Sequence, residues 1–208
     1  MNRRTLLALM AAASLTALLP GSVWAAGGVD VNAILNDPGA PVGGNPKGDV
    51  TIVAFFDYNC PYCKKAQPVI DEVVRTDGNI RLVYKDWPIL TPASVKGAHM
   101  ALAAGYQGKY EQAHAALMGI DGGRVSAEQM RAALKAAGID MARLDADMDK
   151  NATTISDLVA RTNAQAEALG LPGTPVFLIG PFMVPAALDL AGYRQVVSDA
   201  RDRKKAGE

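Results

Sequence analysis

Val50-Thr51-Ile52-Val53-Ala54-Phe55-Phe56-Asp57-Tyr58-Asn59-Cys60-Pro61-Tyr62-Cys63 decides how this chain is read. Val50 to Phe56 is a continuous apolar run, the pattern of a strand covered on both faces of a sheet. From Pro61 the period changes: Ala66, Val69, Ile70, Val73 and Val74 recur at helical spacing until Asp77-Gly78 ends the pattern. Pro68 falls inside this helix and is expected to kink it. Ile80 to Tyr84 reads as a second strand, and strand–helix–strand order implies two parallel strands joined by a right-handed crossover. The chain's two cysteines, Cys60 and Cys63, therefore lie where the first strand hands over to the helix.

Two thiols at that spacing can close and open a disulfide reversibly. No third cysteine is present to make a structural bridge, so the redox cycle is the chemistry to explain. Unsatisfied N–H groups and the helix dipole at the helix start stabilise a thiolate on Cys60. Cys60 is also expected to be the more exposed thiol and to attack or be attacked, with Cys63 resolving the mixed disulfide. Pro61 pre-forms the first helical turn. Zinc sites share the CxxC spacing, but they take four protein ligands as a rule, and only His99 and His114 remain to supply the others. Both histidines fall on helical segments with no paired carboxylate or cysteine pattern, and no metal site is expected.

The N-terminus reads as an export signal. Arg3 and Arg4 give a positive start, Leu6 to Leu19 are apolar apart from Ser14 and Thr16, and Val23-Trp24-Ala25 ends with small residues suited to cleavage. The apolar stretch is short for a membrane span, which favours a cleaved signal over residues 1–25. An ordinary Sec signal is the simpler reading, although Arg3-Arg4 loosely resembles a twin-arginine signal. The 21 basic and 21 acidic residues of the whole chain include only those two arginines before residue 26, so the exported part is slightly acidic. That balance suggests neither nucleic acid nor an acidic membrane surface as partner. Export to an oxidising compartment such as the periplasm lets a lone cysteine pair act as a disulfide carrier.

Residues 26–45 are rich in Gly, Pro, Asn and Asp and read as a mostly extended arm with at most a turn of helix near Val31 to Leu35. The arm is too short for an oligomerisation helix, which predicts a monomer. After Pro92 the pattern is helical and alanine-rich: Ser94 to Tyr106, Tyr110 to Met118, a helix capped by Ser126 and Gln129 running to Gly138, Asp140 to Asp149, and Thr153 to Leu169. Strand character returns at Val176 to Ile179, followed by a turn or short hairpin over 180–186 and a final amphipathic helix from Leu188 to Arg203. Such a helical block inside a strand-bearing chain reads as an insertion in an α/β domain.

Three segments carry a family resemblance. Phe55-Phe56-Asp57-Tyr58-Asn59-Cys60-Pro61-Tyr62-Cys63-Lys64-Lys65 resembles the active-site segment of the DsbA-like thiol–disulfide oxidoreductases, and in particular the exported subgroup with ScsC-type and Com-type proteins. The resemblance continues through Arg81-Leu82-Val83-Tyr84-Lys85-Asp86-Trp87-Pro88-Ile89-Leu90 and returns at Leu169-Gly170-Leu171-Pro172-Gly173-Thr174-Pro175-Val176-Phe177. It implies a thioredoxin-like α/β fold over residues 46–91 and 171–208, with an all-helical domain, residues 92–170, inserted between its second and third sheet strands. It implies that Thr174-Pro175 forms a cis-proline loop facing the cysteines and presenting backbone to the substrate chain. It also implies cysteine-containing exported proteins as substrates, a membrane redox partner, and no cofactor beyond the Cys60–Cys63 disulfide itself.

Two departures from the family pattern stand out. Tyr62 occupies the place where strongly oxidising relatives carry His, so the thiolate gains no cation. The predicted potential lies between roughly −120 mV for DsbA and roughly −270 mV for thioredoxin. Ala54 stands six positions before Cys60, where the family commonly buries an acidic proton acceptor. Asp57 and Lys85 are possible substitutes, and a structurally paired role accounts for each equally well. Tyr58, Tyr62, Trp87 and Phe182 are candidates for an apolar peptide groove, with core packing an equal account of Trp87. Met100, Met118, Met130, Met141 and Met148 read as core filling rather than copper ligands; Met183 lies nearer the presumed substrate face. Oxidase action is the favoured direction. An isomerase or reductase kept reduced by a membrane partner, a Cu(I)-binding copper-tolerance module, and a chaperone without redox turnover remain alternatives.

Overall fold

The computed structural model describes residues 29–122 and 124–207, so the signal expected over residues 1–25 lies outside the described residues. One five-stranded sheet organises the chain, with order β1-β3-β2-β4-β5. Its centre is β2 (Val50–Phe56), parallel to β3 (Ile80–Asp86) and antiparallel to β4 (Val176–Ile179). The hairpin partner of β4 is β5 (Phe182–Val184), within the segment expected to turn.

The continuous apolar run of β2 is explained by two buried faces. Ile52, Ala54 and Phe56 join the cluster that also holds both cysteines, whereas Val53 and Phe55 point into a second cluster with Trp87, Val176 and Leu178. The first face is covered by α2 (Pro61–Asp77) and α8 (Leu190–Ala206), and the second by α1 (Val31–Leu35) and α7 (Ala152–Ala168). Pro68 lies within α2, which runs unbroken to its left-handed C-cap at Gly78, φ 72°.

The arm before residue 46 does more than extend. Val42–Gly44 forms β1, the antiparallel edge partner of β3, so the sheet gains a strand that the sequence pattern does not announce. The helical block thus falls between the third and fourth strands in chain order. Behind β1, Asp37 enters the second buried face and receives Lys85 Nζ at 2.8 Å and Arg161 Nε and Nη2 at 3.0 and 2.9 Å. Burial alone would raise the Asp37 carboxyl, but Arg161 and Lys85 outweigh it and hold the group well below the usual carboxylate range.

The inserted helices are α3 (Pro92–Gly105), α4 (Tyr110–Met118), α5 (Ala127–Ala136), α6 (Met141–Lys150) and α7. The capping box predicted for Ser126 and Gln129 is formed in both directions. At the middle of the block, α3 buries Ala98, Ala101, Ala103 and Ala104, whose small side chains let four neighbouring helices approach it. Gly97 takes this furthest: a Cβ there would stand 2.8 Å from Met130 Sδ and 3.3 Å from the Tyr58 ring.

Candidate active site

Cys60 is the N-cap of α2, in extended backbone geometry, and its sulfur accepts the Cys63 backbone N–H at 3.3 Å. Pro61 follows at N1, where its missing N–H costs no helical bond. From the far end of the sequence, the loop before β4 brings Thr174-Pro175, whose peptide bond is cis, against the same sulfur. The Cys60 thiol donates to the Thr174 carbonyl at 3.2 Å. The proximity expected for Cys60, Cys63, Thr174 and Pro175 is thus present.

Exposure does not distinguish the two thiols as expected: Cys60 is 2% and Cys63 3% exposed. Hydrogen bonding does. The Cys60 thiol is lowered to about 6, with the Cys63 side chain the largest contributor; burial opposes, and Thr174 and the N–H groups of Cys63 and Tyr62 add to the lowering. Burial pushes Cys63 in the opposite direction, and a thiolate on Cys60 adds to that rise. One sulfur is therefore poised as a thiolate near neutral pH while its partner retains its proton. That asymmetry suits reversible thiol–disulfide exchange.

Matched to family models, residues 51–197 fit the DSBA-like thioredoxin domain. The chain belongs to the DsbA-like thiol–disulfide oxidoreductase family. A thioredoxin-like oxidoreductase from Silicibacter pomeroyi DSS-3 is 42% identical, with a TM-score of 0.78 over 83% of this chain and 98% of that one. The thiol-disulfide exchange protein alpha-DsbA2 from Wolbachia pipientis is 31% identical, with a TM-score of 0.76 over 81% and 90%. The catalytic domain of Proteus mirabilis ScsC shares the fold at 23% identity, with a TM-score of 0.72 over 81% and 93%. Among curated sequences, 145 residues are 30% identical to a Na(+)/H(+) antiporter NhaA of Salinispora arenicola; they make up 66% of this chain but 21% of that protein. Among the described residues no helix is long and apolar enough to cross a membrane.

The DsbA-like site departs from the sequence expectations around its edges. Lys85 is on the far side of the sheet, fully buried in the Asp37 pair, because it shares a register position with Phe55 rather than with Ala54 or Phe56. It cannot serve Cys63. Asp57 is also buried, and its two oxygens accept the backbone N–H groups of Asn59 at 2.7 Å and Leu90 at 2.9 Å, the structurally paired alternative. Trp87 packs edge-on to Phe55 on the second face and donates Nε1 to Asn163, and Tyr58 is buried with its hydroxyl 3.1 Å from His114 Nδ1. Neither lines a groove. Tyr62 does face solvent at 66% exposure, and Ile89 and Leu90, in the loop tied to Asp57, are exposed as well.

Met100, Met118 and Met130 are buried as core filling, while Met183 is exposed on β5. Among the described residues no three His, Cys, Asp or Glu side chains gather as a metal site would need. Two residues went unnoticed in the sequence. Asp86, at the end of β3, is buried, accepts the Tyr110 hydroxyl at 2.7 Å and is pushed up to about 7 by burial. Asn59, the residue before the reactive thiol, is buried and fully hydrogen-bonded. In sequence both look like ordinary polar residues at element ends.

Proposed function

We propose that this protein is an exported, monomeric disulfide oxidase of the periplasm. In the proposed cycle a substrate thiolate attacks the Cys60–Cys63 disulfide at Cys60 and releases Cys63 as a thiol. A second substrate thiol then attacks the substrate sulfur of the mixed disulfide, the substrate disulfide forms, and Cys60 leaves as a thiolate. Two electrons pass from the substrate to the cysteine pair, and a membrane partner bearing a disulfide removes them to complete the cycle. Thr174 and cis Pro175 present backbone to the substrate chain, with the exposed Tyr62, Ile89 and Leu90 as the apolar surround.

The observation that carries this reading is the lowered Cys60 thiol at the α2 N-terminus, where the Cys63 side chain and the Cys63 N–H meet its sulfur. A good leaving thiolate makes the reduced form stable and the disulfide an oxidant. Pro61 and Tyr62 tune this moderately, since Tyr62 projects into solvent and brings no cation to the sulfur. Export is supported by the signal pattern of residues 1–25. The chain spans 21% and 26% of the first two curated antiporters it matches, and sodium–proton exchange belongs to those proteins.

Two measurements test the proposal. The oxidised protein should restore activity to a reduced, cysteine-dependent exported enzyme, and thiol trapping in intact cells should find Cys60 and Cys63 oxidised. Cysteines found reduced in cells, together with efficient rearrangement of a scrambled substrate, would establish the isomerase reading instead. Retention of Cu(I) without turnover would replace both.

A further inference from the structure

The side chain of Asn59 meets parts of the chain that lie far from it in sequence. Its Nδ2 donates to Thr91 Oγ1 at 2.8 Å and to the Val125 carbonyl at 3.2 Å, and its Oδ1 accepts the Val125 N–H at 2.7 Å. The amide thus pairs with the Val125 backbone as a neighbouring strand would, using both its donors and its acceptor. Thr91 is the N-cap of α3, and Val125 immediately precedes Ser126, the N-cap of α5. Cys60, directly after Asn59, is the N-cap of α2. One buried amide therefore joins the starts of three helices, two of them in the inserted block and the third carrying the reactive thiol.

We propose that Asn59 is a positioning residue through which the helical insertion sets the redox balance of the Cys60–Cys63 pair. This inference rests on the thiol–disulfide reading given above. In the reduced protein nothing covalent holds Cys60 over the first turn of α2, and its sulfur keeps the Cys63 N–H only while the cap backbone stays in place. Asn59 supplies that restraint from the preceding residue. In the disulfide form the Cys60–Cys63 bond fixes the same backbone without help. The clamp and the disulfide therefore favour the same backbone: the clamp pre-orders the pair for disulfide closure, and losing it makes the pair more oxidising.

The test is the equilibrium of the full chain with glutathione. Asn59→Ala is expected to shift it about tenfold away from the protein disulfide, the size of about one lost hydrogen-bonded restraint, or about 30 mV for a two-electron couple. Leu134→Ala, in the core of α5 and remote in role, controls for general destabilisation: it should lower Tm and leave the equilibrium in place. An Asn59→Ala protein that melts earlier but equilibrates like the wild type would sink the proposal. If that variant does not fold, the wild type decides through linkage: the Val125 amide should exchange about tenfold more slowly in the oxidised than in the reduced protein, and equal protection overturns the idea. A wild type that never forms the Cys60–Cys63 disulfide with glutathione would instead remove the underlying oxidoreductase reading.

Discussion

The Cys60 thiol donates to the carbonyl of Thr174 across 3.2 Å, although 114 residues separate them in the chain. The contact places the reactive sulfur under a loop from beyond the helical insertion, while the lowering of this buried nucleophile comes chiefly from the Cys63 side chain, with the N–H groups of Cys63 and Tyr62 adding to it. The opposite directions of the two thiols follow from their mutual contact, in which the Cys63 side chain lowers Cys60, and from the burial that raises Cys63.

Alkylation should therefore be selective and pH-dependent. Cys60 should react with iodoacetamide along a titration centred near pH 6, while Cys63 stays inert across the neutral range. The folded value lies below the ordinary thiol value of 9.0, so the associated stability of the reduced protein is fully present above pH 9. It is lost as pH falls through 6. The oxidised protein has no such thiol, and the reduced-minus-oxidised difference in Tm should shrink between pH 9 and pH 6.

Asp86 makes the opposite contribution. Burial raises its carboxyl from 3.8 to about 7, with Tyr110 and Tyr58 only partly offsetting this. Its protonated form favours folding, so this stability is complete below pH 3.8 and is lost as pH rises through 7. Asp86→Asn mimics the protonated state and should stabilise the protein at pH 8 relative to the wild type, by on the order of 1–2 kcal/mol. Thermal melts of both proteins at pH 5 and pH 8 check this: the variant's advantage should be larger at the higher pH.

Much of this arrangement was legible because local pattern and tertiary demand agree. The unbroken apolar run of β2, the capping box at Ser126 and the span of α4 each follow from residues close together in sequence. What escaped notice depends on distant partners. Val42-Gly43-Gly44 has no strand periodicity and becomes β1 only because β3 offers an unpaired edge. Lys85 reads as a polar strand residue, and nothing near it reveals that Asp37 and Arg161 converge on the same buried point. The equal burial of the cysteines depends on a loop contributed more than a hundred residues later.

The Asp37–Lys85–Arg161 cluster should matter for stability and not for exchange. Lys85→Met leaves Asp37 buried with one cation instead of two, and removing one partner of a buried pair typically costs about 3–5 kcal/mol. Arg161 keeps the loss toward the lower end. Because the cluster lies on the face opposite the cysteines, the rate of exchange with glutathione per folded molecule should not change. Urea denaturation and exchange kinetics on the same preparation check both halves. In the wild type, the lowered Asp37 carboxyl gives stability that is present above pH 3.8 and lost as pH falls below it.

Ala54 tests the proton path to Cys63. It is buried in the cysteine-bearing cluster, between the register partners Tyr84 on β3 and Phe177 on β4. No carboxylate occupies this position, so a proton leaving Cys63 must travel through water or another group. Ala54→Glu would restore the acid that relatives of this kind commonly place here. Its carboxyl would be buried among apolar side chains, which raises its own pKa and brings it closer to neutral, the range in which an acid–base group works best. Exchange at pH 7 should accelerate about tenfold, within the lower part of the range for a positioned acid–base group. Stability should fall by about 1–3 kcal/mol, because a polar group and extra volume enter a packed site. Stopped-flow exchange with a small disulfide between pH 5 and pH 9 gives the rate profile, and thermal melting gives the cost. A profile identical to that of the wild type would show that proton transfer at Cys63 does not limit this enzyme.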